Sequence, residues 1–156
     1  MKIKWKPFGV ALLLPLVVGG LAGLLTSGSM KLFASLNQPP FSPPGWLFPV
    51  VWTLLYALMG AASYLVFVAP APDAMKRAAL TAYLLQLAVN FLWPILFFNA
   101  RLYLIALLWL GLLWLLVLWT LILFGRLTKL AELFLLPYLL WVTFAFYLNL
   151  GVFLLN

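Results

Sequence analysis

The residues in this chain able to do chemistry are aromatic and amide side chains set at helical spacing inside long apolar stretches. Trp52 and Tyr56 stand four apart, Gln86, Asn90, Trp93 and Phe97 follow an i, i+4, i+7, i+11 stripe, and Tyr138, Trp141, Ala145, Leu148 and Asn149 share a third face. Indole and phenol rings offer flat surfaces for stacking, and amides orient polar edges, so these stripes suit the holding of a flat apolar ligand. The same residue types also pack helices together and bond across them, which is the competing reading. Transformation of a ligand by side-chain acids and bases is nearly closed off. The chain has no histidine and no cysteine, and its only carboxylates are Asp73 and Glu132, both placed near span ends. No paired acid and base, thiolate or metal cluster is assembled from that inventory.

The elements that must position these stripes are membrane helices. The composition is 68% hydrophobic with a net charge of +7, far from the ~25% charged residues of soluble domains. Charge-free stretches of spanning length predict five transmembrane helices over about 7–27, 46–69, 76–98, 102–124 and 130–155, each reaching the ~20 residues that cross a bilayer. The fold class is therefore an all-α membrane protein, a single domain over 1–156 built as a five-helix bundle, because backbone groups in lipid must be satisfied internally. The first span follows Lys2, Lys4 and Lys6 but runs about twice the length of a signal-peptide core, so it is read as a retained helix.

The cations are scattered at span ends and form no basic face for nucleic acid. Lys2, Lys4, Lys6, Lys76, Arg77, Arg126 and Lys129 fall on one side and only Lys31 and Arg101 on the other, which places the N-terminus in the cytoplasm and the C-terminus outside. With that orientation the three stripes overlap in the outer half: Trp52 lies about 9 Å, Asn90 about 12 Å and Asn149 about 10 Å from the outer end of its span at ~1.5 Å per residue. Above them runs a long connection that includes Pro39, Pro40, Phe41, Ser42, Pro43, Pro44, Gly45 and Trp46. Its prolines fix φ and stiffen it, so Phe41, Pro43, Pro44 and Trp46 are expected to form a lid. In the first span, Gly19 and Gly23 have the small-xxx-small spacing of a close helix crossing, read here as internal packing in preference to a dimer contact. Trp5, Trp46, Trp109 and Trp119 are assigned to interfacial belts, and Trp114 to packing.

Three motifs in order, Pro43-Pro44-Gly45-Trp46 leading into Val51-Trp52-Thr53-Leu54-Leu55-Tyr56, then Asn90-Phe91-Leu92-Trp93-Pro94, then Leu136-Pro137-Tyr138-Leu139-Leu140-Trp141 with Leu148-Asn149, closely resemble the TspO/MBR family of tryptophan-rich sensory proteins, translocator proteins and peripheral benzodiazepine receptors. The resemblance spans all five helices. It implies a bundle, commonly a homodimer, whose cavity beneath the first loop binds porphyrins, protoporphyrin IX above all, and benzodiazepine-type or isoquinoline ligands, with no required cofactor. Carried over by position, Trp52, Asn90 and Trp141 match residues that contact ligand, Ala145 and Leu148 match wall positions, and Tyr56, Phe91 and Trp93 add lining. Asn149 is expected to hydrogen-bond the ligand alongside Asn90, and Lys31 and Arg101 to meet the propionates of a porphyrin at the mouth. The chain departs from the family pattern at Leu32 and at Phe41, where indoles are usual, which argues against light-dependent porphyrin breakdown. Leu150 stands where the cholesterol motif of animal members has tyrosine, so cholesterol is not the expected ligand.

The function expected from the sequence is thus a membrane receptor or sensor that binds a porphyrin or another flat apolar small molecule. The alternatives are a transporter of porphyrin or lipophile and a porphyrin-degrading enzyme. No ionisable residue lies mid-span to couple transport to protons, and with no histidine to ligate haem iron, metal-free porphyrin is favoured.

Overall fold

A computed structural model describes residues 2–156. The helices are α1 (Trp5–Thr26), a short α2 (Met30–Ala34) joined to it by a 3-10 turn at Ser27–Ser29, α3 (Leu47–Val68), α4 (Asp73–Pro94) running into a π-helical turn at Ile95–Asn99, α5 (Tyr103–Leu127) and α6 (Lys129–Leu155). Five of them are long and apolar enough to span a membrane. Counting the π turn with α4, every end falls within three residues of the expected spans. The largest shifts have local causes. α4 starts at Asp73 because the Pro72 carbonyl accepts the backbone N–H groups of Met75 and Lys76, and an acidic residue suits the positive end of the helix dipole. α5 runs on to Leu127, with Arg126 in its last turn satisfying the opposite end. The short α2, inside what the sequence offered only as a loop, is a difference from expectation.

The long helices close a ring in the order α1, α3, α6, α5, α4, with α4 returning to α1. α1 is the outlier: 11% of its most apolar stretch is buried, against 28–44% in the other four spans. Where α1 does meet the bundle, glycine allows it. A Cβ on Gly60 of α3 would lie 2.6 Å from the Ala11 carbonyl oxygen and 2.9 Å from Leu12 Cα, so the backbones touch there. Gly19 of α1 faces the Tyr56 ring so closely that a Cβ would overlap it. Gly19 is therefore internal packing as expected; Gly23, its partner in the motif, meets nothing within 4 Å. At the end of the bundle away from the long loop the core is continuous, with Met59, Val66, Tyr83, Val117 and Phe124 fully buried.

The first half of the long loop is tied to the end of α6. Asn37 and Asn156 bond reciprocally, the Asn37 N–H to Asn156 Oδ1 at 3.1 Å and Asn156 Nδ2 to the Asn37 carbonyl at 2.8 Å. The Tyr147 hydroxyl donates to the Pro40 carbonyl at 2.7 Å. Pro39 is buried and packs directly on Gly151, where no Cβ would fit.

Candidate functional site

Beneath that loop lies a cavity of about 850 Å³, within the ~300–1,000 Å³ of small-molecule sites. Its walls come from α1, α3, α4 with the π turn, and α6; its roof comes from the loop; α5 contributes no lining residue. Among the described residues no charged side chain lines it. The three expected stripes do converge: Trp52, Tyr56, Asn90, Trp93, Trp141, Ala145, Leu148 and Asn149 all line this one space, with Pro43 and Pro44 above them.

The aromatic wall is built by mutual support. Trp52 stacks on Tyr56 with centroids 5.6 Å apart and meets Trp141 edge-on at 6.5 Å, while Phe48 packs against Trp141 at 6.0 Å. Across the cavity Trp93 stacks on Phe97 at 5.3 Å, and Phe97 meets Phe98 at 4.8 Å. The π turn after Pro94 adds a residue to the helical repeat, and Phe97 and Phe98, adjacent in sequence, both line the cavity.

The two asparagines are committed to the scaffold. The Tyr56 hydroxyl donates to Asn90 Oδ1 at 3.2 Å, Asn90 Nδ2 donates to the Tyr138 hydroxyl at 2.7 Å, and that hydroxyl donates to Gln86 Oε1 at 2.7 Å. Asn149 Oδ1 accepts Trp93 Nε1 at 3.1 Å and its Nδ2 donates to the Tyr103 carbonyl at 2.9 Å. Both amides thus fix the angles at which α3, α4, α5 and α6 present their rings. One donor on the wall is different. Trp141 Nε1 is buried and has no hydrogen-bond partner, a state that costs free energy until an acceptor arrives.

Several expected site residues stand elsewhere. Phe91 is half-buried and outside the lining, one step (100°) around α4 from Asn90. Phe41, at φ 65°, is 89% exposed and Trp46 is 67% exposed; neither lines the cavity, because the turn at Phe41 throws its ring outward while Pro43 and Pro44 face in. Lys31 and Arg101 are exposed and also outside the lining. Lys31 does sit on the short helix whose Met30 and Ala34 border the cavity, whereas Arg101 follows the π turn in a left-handed conformation, φ 56°. Trp109, expected in an interfacial belt, instead donates its Nε1 to the Val89 carbonyl at 2.8 Å and joins α5 to α4. Trp114 packs as expected, its Nε1 donating to Thr143 Oγ1 at 2.8 Å.

The wall that sequence reasoning missed is α1: Leu16, Gly19, Gly20, Ala22, Gly23 and Thr26. Their signal was a run of small residues on one face, which reads equally as a packing motif.

A profile of the TspO/MBR family matches residues 11–155 of the chain. The chain is 38% identical to a tryptophan-rich protein TspO of Archaeoglobus fulgidus over 94% of its own length and 95% of that protein's. It is 37% identical to a tryptophan-rich protein TspO of Chlorobaculum tepidum over 80% of this chain and 78% of the other, and 35% identical to the translocator protein of Bos taurus over 96% and 89%.

Proposed function

The chain belongs to the TspO/MBR family of integral, multi-pass membrane proteins, and on that footing we propose that it is a receptor or sensor whose cavity binds a flat, largely apolar small molecule of the porphyrin class, protoporphyrin IX foremost, and benzodiazepine- or isoquinoline-type ligands. The observation that carries this reading is the cavity itself: uncharged, walled by rings on two sides, and holding one unpaired buried donor at Trp141 Nε1. Rings at right angles, as Trp52 and Trp141 are, give a flat ligand one face to stack on and an edge to abut. An acceptor on the ligand would complete Trp141. A carboxylate would be poorly placed inside a space without a cation, so the acid groups of a porphyrin belong at the rim, where Lys31 of α2 is exposed.

Related proteins carry the name translocator protein, and transfer of the same ligand across the membrane is the second reading. Among the described residues the polar network below the cavity is a bonded, close-packed chain, Tyr56 to Asn90 to Tyr138 to Gln86, which favours holding over passage. Titration of protoporphyrin IX against the purified protein, followed by tryptophan quenching, tests the proposal. Saturable quenching is expected, with Trp52→Ala and Trp141→Ala each weakening affinity at least about tenfold, since an aromatic contact with its burial is worth about 1.5–3 kcal/mol. Native affinity in both variants would assign the two indoles to packing and remove the cavity as the site.

A further inference from the structure

We propose that the cavity fills from the lipid phase, through a slot between the loop-end halves of α1 and α3, and that the proline-rich loop is a fixed roof. It rests on the ligand-binding reading above.

The borders between the other helices are closed, and the exposed lining residues outside the α1–α3 border, Met30, Ala34, Pro44 and Gly45, belong to α2 and the loop above the bundle. α3 meets α6 through Phe48 and Trp52 against Trp141. α6 meets α4 through the bond from Trp93 to Asn149. On the α4 side of α1, Asn99 Nδ2 donates to the Leu25 carbonyl at 2.9 Å and its Oδ1 accepts the Ser29 hydroxyl at 2.6 Å, while Ala22 and Thr26 are each 4% exposed. The roof is anchored to α6 by the Asn37–Asn156 pair, by Tyr147 on Pro40 and by Pro39 on Gly151.

Between α1 and α3 the pattern reverses. On α1 the lining residues Gly20, Gly23 and Ser27 are exposed, and a Cβ on either glycine would meet nothing within 4 Å. On α3 the lining residues Pro49 and Thr53, one turn apart, are exposed and adjoin the outward-facing Val50 and Leu54. The slot closes below at Gly19 against Tyr56. It therefore extends over the two and a half turns from Tyr56 to Leu47, about 14 Å at ~1.5 Å per residue, along the part of α3 that lies within the apolar span. Its edges are apolar. The Thr53 hydroxyl is spent on the Pro49 carbonyl at 2.7 Å, and on the facing helix Gly20 and Gly23 carry no side chain while the Ser27 hydroxyl is spent on the Leu24 carbonyl at 2.9 Å. A ligand apolar enough to suit this cavity partitions into the bilayer, where a slot of that height meets it directly.

The test is stopped-flow tryptophan quenching with protoporphyrin IX delivered in phosphatidylcholine vesicles. Thr53→Trp and Gly23→Leu obstruct the slot from opposite edges; each is expected to slow both association and dissociation about tenfold, so that affinity changes far less than either rate. If one of the pair fails to fold, the other carries the test. The chain has no cysteine, so Asn37→Cys with Asn156→Cys gives a single cross-link that pins the roof to α6, and this protein is expected to load at the native rate. Native rates in the slot variants together with blocked loading in the cross-linked protein overturn the inference. Absence of saturable quenching in the unaltered protein instead removes the binding reading, and the route with it.

Discussion

Two glycines on facing helices divide this molecule. At Gly60 the backbones of α1 and α3 are in contact, and a Cβ would strike a carbonyl oxygen; at Gly23, where α1 borders the same helix pair nearer the loop, a Cβ would enter open space. One end of the bundle is packed to its axis and the other holds a cavity, although both are built from similar apolar residues. The contrast shows that a missing side chain serves two opposite ends, close approach in one half and free volume in the other. Tyr56 marks the boundary, its ring against Gly19 and its hydroxyl on Asn90.

The sharpest way to break this contrast is to put bulk at the packed end. Gly60→Leu has no room without parting α1 from α3, and a loss of about 3 kcal/mol is expected; denaturant unfolding in detergent micelles, followed by circular dichroism, checks it. Native stability would mean that the two helices are not in contact there. A smaller effect is expected at the boundary. Asn90→Leu takes the acceptor from the Tyr56 hydroxyl and one donor from the Tyr138 hydroxyl, which keeps its own bond to Gln86, and about 1 kcal/mol should be lost in the same assay, in line with the modest worth of hydrogen bonds between membrane helices. Porphyrin affinity should fall as well, because Tyr56 supports the Trp52 ring. The smallest effect belongs to the open end. Gly23→Ala touches nothing, and the better helix propensity of alanine should leave stability unchanged or raised by up to about 1 kcal/mol; a fall comparable to that of Gly60→Leu would show that Gly23 is packed after all.

The bundle was readable because its determinants are local. Uninterrupted apolar length and the charges between spans located five helices to within three residues. The stripes on α3, α4 and α6 were also readable, since period and depth follow from helix geometry alone, and nine of their residues share one cavity. What escaped were features that depend on neighbours. The Gly19 and Gly23 motif looked like one device, yet one member packs and the other lines the cavity. Phe41 and Trp46 looked like parts of a lid, yet a positive φ at Phe41 turns that ring away. Asn90 and Asn149 line the cavity at the expected depth, and their bonds between helices appear only when the neighbouring helices are in place.

The sequence by itself determined that the chain crosses a membrane five times as helices, that its spans carry aromatic and amide side chains and no histidine or cysteine, and that a proline-rich loop stands over its polar stripes. These follow from transfer free energies and from a fixed rise per residue, which any single helix expresses alone. Only the tertiary structure decided which stripe faces which, that α1 rather than α5 walls the cavity, that Trp141 keeps an unpaired donor, and that the lining residues Gly20, Gly23, Pro49 and Thr53 of α1 and α3 are exposed. Those outcomes depend on how far apart the helices stand, and that separation is set by contacts between residues distant in sequence, such as Gly60 with Ala11 and Asn37 with Asn156.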